Sequence, residues 1–145
     1  MIIIKEDSHR LLSWLIKDGK KGKALKILKK VNILLKIETG QNPDAVIIKA
    51  IDNIKPIVGL RTYKKANLTY LLPYILKPRK SEFLALKWLF KHCKKRNERK
   101  FHEKLAGEIK DAFNNEGSCI KEKARTYELA NQNRVYLQVF FKKKK

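Results

Sequence analysis

PIVGLRTYKKANLTYLLPYILKPRK, residues 56–80, interrupts a chain that otherwise repeats its apolar residues at three- and four-residue spacing. From Ile57 to Tyr63 and from Thr69 to Leu76 the residues are largely β-branched, aliphatic or aromatic, and Lys64-Lys65-Ala66-Asn67 makes a polar connection between them. Two such runs joined by a polar turn predict a β-hairpin, here spanning about 57–77. Pro73 has no N–H to give a sheet ladder, so it belongs on the outer side of a ribbon that is isolated or at an edge. Two strands alone are marginally stable in water. A ribbon projecting from a helical body is therefore expected to touch something, and the lysines at its tip with Tyr70 and Tyr74 on its return favour a nucleic acid.

The flanking segments read as helices. Leu11, Leu12, Leu15 and Ile16 repeat behind Ser8, a candidate cap, and Asp18-Gly19 supplies a left-handed stop. Ala24, Ile27, Leu28, Val31, Leu34 and Leu35 form a second stripe, with Lys23, Lys26, Lys30 and Lys36 opposite and Gly40 closing the segment. In NPDAVIIKAIDNIKP, residues 42–56, Asn42 caps, Pro43 suits the first turn, and Pro56 forbids continuation. After the ribbon, Phe83, Leu86, Leu89, Phe90 and Cys93 are expected on a buried side, with Trp88 at its boundary. Lys80, Lys87, Lys91 and Lys94 form a basic stripe. KKRNERK, residues 94–100, reads as a charged connector. The helix after it is expected to bury Phe101, Leu105, Ile109 and Ala112 and to turn Glu103, Glu108 and Asp111 outward. A last helix from about Ile120 should bury Ala124, Tyr127 and Ala130, before a basic tail at 142–145. The fold class is mainly α: one domain over 1–145, with six helices and a protruding hairpin between the third and fourth.

Composition selects the partner. The 145 residues carry 35 Lys and Arg against 14 Asp and Glu, a net +21, while 43% of residues are hydrophobic. A folded domain this basic repels itself until a polyanion neutralises it. The longest apolar runs, MIII and TYLLPYIL, fall far short of the ~20 residues a membrane span needs. Cys93 and Cys119, at unrelated spacing, suggest reduced structural thiols. Neither they nor His9, His92 and His102 show metal-ligand spacing, so no metal and no cofactor is expected. DGKKG, residues 18–22, has neither the spacing of a phosphate-binding loop nor a preceding strand. No nucleophile with its base and no convergent carboxylate pair is legible, so the chain does not read as an enzyme.

Five segments in order resemble one family, the bacterial and organellar form of small-subunit ribosomal protein seven. LLSWLIKDGKK is similar to its first helix with the glycine and basic pair at Gly19, Lys20 and Lys21. NPDAVIIKAIDNIKP is like its third helix, and Tyr70 and Pro73 fall on its T-Y-x-x-P pattern. LALKWLF, LAGEIKDAFNNEG and LANQNR look like its last three helices. At the hairpin tip, where the family usually has Gly-Gly, stands Ala66-Asn67.

The resemblance implies binding to the 3′ major (head) domain of small-subunit ribosomal RNA and nucleation of head assembly beside neighbouring head-domain proteins. It also implies a hairpin near the exit-site transfer RNA and the messenger path. Carried over residue by residue, the RNA-binding candidates are Lys20, Lys21 and Lys23; Arg61, Lys64 and Lys65; Lys77, Arg79, Lys80, Lys87 and Lys91; and Arg125 and Arg134. Each would neutralise phosphate and release counterions, with shape rather than base readout giving specificity. Abundant Lys, Ile and Asn suggest an AT-rich gene, and the first eight residues, with Glu6 and Asp7, do not read as a cleavable leader. A mitochondrial ribosome is the expected location, with a plastid or a bacterial cytoplasm as alternatives. Two rivals remain: a basic helical DNA-binding protein and a metal-dependent nuclease.

Overall fold

Apolar spacing and capping residues set the helices of the computed structural model, which describes residues 6–141 and the side chains of residues 9–138. In chain order they are α1 (Glu6–Leu15), α2 (Lys21–Thr39), α3 (Pro43–Ile54), α4 (Pro78–Cys93), α5 (Phe101–Phe113), α6 (Gly117–Gln132) and α7 (Arg134–Phe141). The strands β1 (Val58–Lys65) and β2 (Leu68–Ile75) lie between α3 and α4. The expected body and ribbon are there, but the last expected helix is divided at Asn133. That residue donates its backbone N–H and its side-chain Nδ2 to the Leu129 carbonyl, closing α6 before α7 begins. The lysine tail at 142–145 lies outside the described residues.

Two stops follow the sequence closely. Asn42 Oδ1 accepts the Asp44 N–H at 3.1 Å to open α3, and Gly40, at φ +66°, closes α2 by donating its N–H to the Lys36 carbonyl. The first helix differs at both ends. It is already running at Glu6, so Ser8 is not its cap, and it stops at Leu15, with Asp18 and Gly19 both left-handed beyond it.

α5 is the middle of the body: α2, α3, α4 and α6 all pack against it. Leu105, Ala106, Ile109 and Ala112 are buried there, against Val31 and Leu35 of α2, Val46, Ile47, Ala50 and Ile54 of α3, and Leu86 and Leu89 of α4, all in one core. Because the helix is surrounded, an outward acidic face is not available to it. Glu108, expected in solvent, is 1% exposed. Three other expectations also reverse. Phe83 is 57% exposed, Trp88 only 7% exposed, and Ala124 faces solvent.

Candidate nucleic-acid interface

The ribbon is pinned at its root. Ile57 donates its N–H to the Tyr127 hydroxyl at 2.9 Å, the Ser81 hydroxyl bonds the Pro56 carbonyl at 2.5 Å, and Lys123 Nζ reaches the Asn53 carbonyl at 2.8 Å. Gly59 packs closely under Leu76, whose side chain would have to shift to admit a Cβ, 2.9 Å away. The register pairs Val58 with Ile75 through Lys65 with Leu68, leaving Ala66-Asn67 as a two-residue turn. Hydrogen-bonded and open pairs alternate in an antiparallel ladder. Since Leu76 N–H bonds the Ile57 carbonyl, Leu60 opposite Pro73 is an open pair, and the proline withholds no ladder bond.

Residues 61–69 are all exposed, Arg61, Lys64 and Lys65 among them. Successive side chains alternate faces, so Lys64 and Lys65 place positive charge on both sides of the tip. The strands run through both lysines, so the turn is shorter than the sequence suggests. Its positive φ, +52°, falls on Ala66 rather than on Asn67. Tyr70 is not offered to a ligand as expected: it packs edge-on against Tyr136 of α7, ring centroids 5.1 Å apart. α7 thus supports β2, and the ribbon is less isolated than expected. Tyr74 is exposed as expected, and so is Tyr63, across the ladder from Tyr70.

Two helix starts carry the next groups. Lys20 is the N-cap of α2, with Lys21 and Lys23 in its first turn; Lys77 is the N-cap of α4, with Arg79 and Lys80 following Pro78. Neither start has a side-chain cap bond or an acid in its first turn. All six cations are exposed. The positive dipole end adds to their charge, which disfavours the isolated helix and suits an anion. Lys20 lies 3.9 Å from Asp18, a loose exposed pair.

Along α4, Lys80, Lys87, Lys91 and Lys94 are exposed on one stripe. Lys91 differs from the others because its Nζ is 3.1 Å from Glu122 Oε1 on α6. That hydrogen bond holds the Glu122 carboxyl below the usual carboxylate range, against partial burial, which works the other way. Lys91 is therefore already neutralised. Arg125 is exposed on α6. Arg134 opens α7 and borders a concavity of 320 Å³ with Pro73, Tyr74 and Ile75 of the ribbon. The structure thus brings Arg134 to the ribbon's root and leaves Arg125 on α6 beside the Lys91–Glu122 pair.

Charge is handled differently in the supposed connector. Arg96 bonds Asp111 at 2.6 Å, Glu98 at 2.8 Å and Glu108 at 3.0 Å. Burial works against its charged form, but the three carboxylates outweigh that and hold its pKa above the ordinary arginine value. The other Glu108 oxygen accepts the Cys119 N–H at 3.3 Å. Gly107 leaves the space, since a Cβ there would sit 2.7 Å from the Arg96 guanidinium. Burial, followed by Glu108, pushes the Cys93 thiol up to about 11, and the Cys119 thiol rises for the same reasons. Both cysteines are buried and free. Among the described residues no group of three or more His, Cys, Asp or Glu side chains is placed to hold a metal, and no helix is long and apolar enough to cross a membrane.

The sequence reading missed two exposed aromatics, Tyr63 and Phe83. For Phe83 a signal existed: it stands four residues from both Arg79 and Lys87, on the basic stripe rather than the apolar one.

Residues 5–134 match the family model described as ribosomal protein S7p/S5e. Small ribosomal subunit protein uS7 of Thermodesulfovibrio yellowstonii is 39% identical over 127 residues, 88% of this chain and 81% of its own length. The protein of the same name from Rubrobacter xylanophilus is 39% identical over 128 residues, covering 88% and 82%. That from Mycoplasma genitalium is 37% identical over 127 residues, covering 88% and 82%.

Proposed function

The chain belongs to the ribosomal protein S7p/S5e family, and from that premise we propose that it binds the 3′ major domain of small-subunit ribosomal RNA and nucleates assembly of the head. Its coarser role is that of a structural, non-enzymatic protein of the small ribosomal subunit. One observation carries the finer reading: the cations of the ribbon and of the α2 and α4 starts are exposed, on segments without an acid. Residues 19–37 and 53–81 contain no Asp or Glu, so the acids near these cations are few, the loose Lys20–Asp18 pair being one. Lys20, Lys21, Lys23, Arg61, Lys64, Lys65, Lys77, Arg79, Lys80 and Lys87 are the primary contacts in this proposal. Lys91 must first leave Glu122, and Arg125 and Arg134 are secondary.

The whole chain acts as one RNA-binding domain. Its ribbon reaches toward the exit-site transfer RNA and the messenger, and other head proteins pack beside it. The Lys, Ile and Asn bias supports an organellar, mitochondrial ribosome; the relatives named above are bacterial, and a bacterial cytoplasm or a plastid fits the same residues. Filter binding at moderate salt tests the reading. The head-domain RNA should bind far more tightly than duplex DNA of equal length and should remain uncleaved in magnesium. Equal affinity for the two polymers would favour a DNA-binding protein, and cleavage would favour a nuclease.

A further inference from the structure

On the flank where α1, α4 and the start of α5 meet, four aromatic side chains form a row. The Trp14 ring centroid is 5.2 Å from that of Phe83 and 5.7 Å from that of Phe90. Phe101 shares with Trp14 and Phe90 a concavity of 430 Å³ bordered by Lys17 and Lys94. On the other side of Trp14 a second concavity, of 320 Å³, is lined by Phe83, Arg10 and Arg79. Glu82 lines it as well, and its carboxylate is bound to Arg10. Arg79, Lys17 and Lys94 make no ion pair among the described residues.

Phe83 is more than half exposed, and it shares its concavity with Arg79, which makes no ion pair among the described residues. An apolar protein segment would cover the rings but leave those cations unmatched. A chain whose flat apolar groups alternate with anions satisfies both, and a single-stranded polynucleotide is such a chain. Paired RNA hides its base faces in the stack, so a duplex cannot use the rings.

We propose that this trough is a stacking site for unpaired nucleotides of the bound RNA, with one base on Phe83, a neighbouring base in the concavity beside Trp14, and Arg79, Lys17 and Lys94 on the phosphates. The site rests on the RNA-binding reading above and adds to it a place for bases, where the ribbon and helix starts take only phosphates.

The test uses the full chain, single-stranded oligoadenylate of about eight nucleotides, an abasic oligomer of equal length and the head-domain RNA. Phe83→Ala should weaken oligoadenylate binding about tenfold with an unchanged salt slope, and should leave abasic binding unaltered. Arg79→Gln should reduce the slope for both oligomers by roughly 0.7. Oligoadenylate, but not the abasic oligomer, should quench tryptophan fluorescence, through Trp14 rather than the buried Trp88. Tight binding of the head-domain RNA together with an unaffected Phe83→Ala variant overturns the stacking site and leaves the ribosomal reading standing. Failure of the wild type to prefer that RNA over duplex DNA overturns the reading beneath it. Quenching by an acidic apolar peptide but not by oligoadenylate would assign the trough to a protein instead.

Discussion

At the start of α5, Glu103 accepts the Lys100 N–H at 3.3 Å, and at the start of α3 Asn42 and Asp44 fill the same roles. At the starts of α2 and α4 lysine and arginine stand where acids would stabilise the helix, without a side-chain cap. The first pair of starts is complete within the protein, and the second pair is finished only by something anionic. Arg96 and the ribbon repeat the contrast. The Arg96 guanidinium is held by three carboxylates inside the body, whereas Arg61, Lys64 and Lys65 stand on a projecting arm with no acid on it. A net +21 is not one undivided surplus: some cations hold the fold together, and others stand exposed on segments without an acid.

Breaking the internally neutralised side should have the largest effect. Arg96→Met leaves the buried Glu108 without its cation, and loss of one partner from a buried pair costs about 3–5 kcal/mol. Urea unfolding should show that loss, while the salt slope of RNA binding by the folded variant stays as in wild type. A stability change below about 1 kcal/mol would show that the Arg96 knot holds nothing.

A charge swap sharpens the comparison of helix starts. Lys80→Glu should stabilise the free protein by about 0.3–1 kcal/mol at low salt, and Glu103→Lys should destabilise it by a similar amount. Lys80→Glu should also reduce the salt slope for RNA by roughly 1 or more. The two stability changes must have opposite signs; equal signs would mean that the dipole ends do not govern these positions.

The smallest effect concerns the ribbon alone. Ala66 holds φ +52° at the first turn position, where glycine is unstrained. Ala66→Gly should relieve roughly 1 kcal/mol of local strain. Slower amide exchange at Lys65 and Leu68, with no change in the helices, is the expected signature.

How much of this was legible in the sequence depended on the range of the interaction. Asn42, Gly40 and the apolar stripe of α2 act within one or two turns, and they were read correctly. Pro73 and the two non-helical runs identified the ribbon. Glu108 could not be placed, because its burial follows from four helices closing around α5, which no local period records. Tyr70 was misassigned for the same reason, since Tyr136 lies 66 positions away in sequence. The positions of the thirteen cations were legible as types, and all proved exposed. That Lys91 is occupied by Glu122 needed the packing of α4 on α6. The turn geometry at Ala66 was open to error because a two-residue turn can place its positive φ at either position or at both.

Lysine footprinting tests the central claim most directly: acetylation rates of the free chain are compared with those of the chain bound to the head-domain RNA. Lys20, Lys21, Lys23, Lys64, Lys65, Lys77, Lys80 and Lys87 should be protected together, while Lys55 and Lys110, paired with Asp52 and Glu38 within the protein, should react at unchanged rates. Uniform protection of every lysine, or protection of Lys55 and Lys110 in place of the ribbon and helix-start groups, would contradict the division between internally matched and RNA-directed charge.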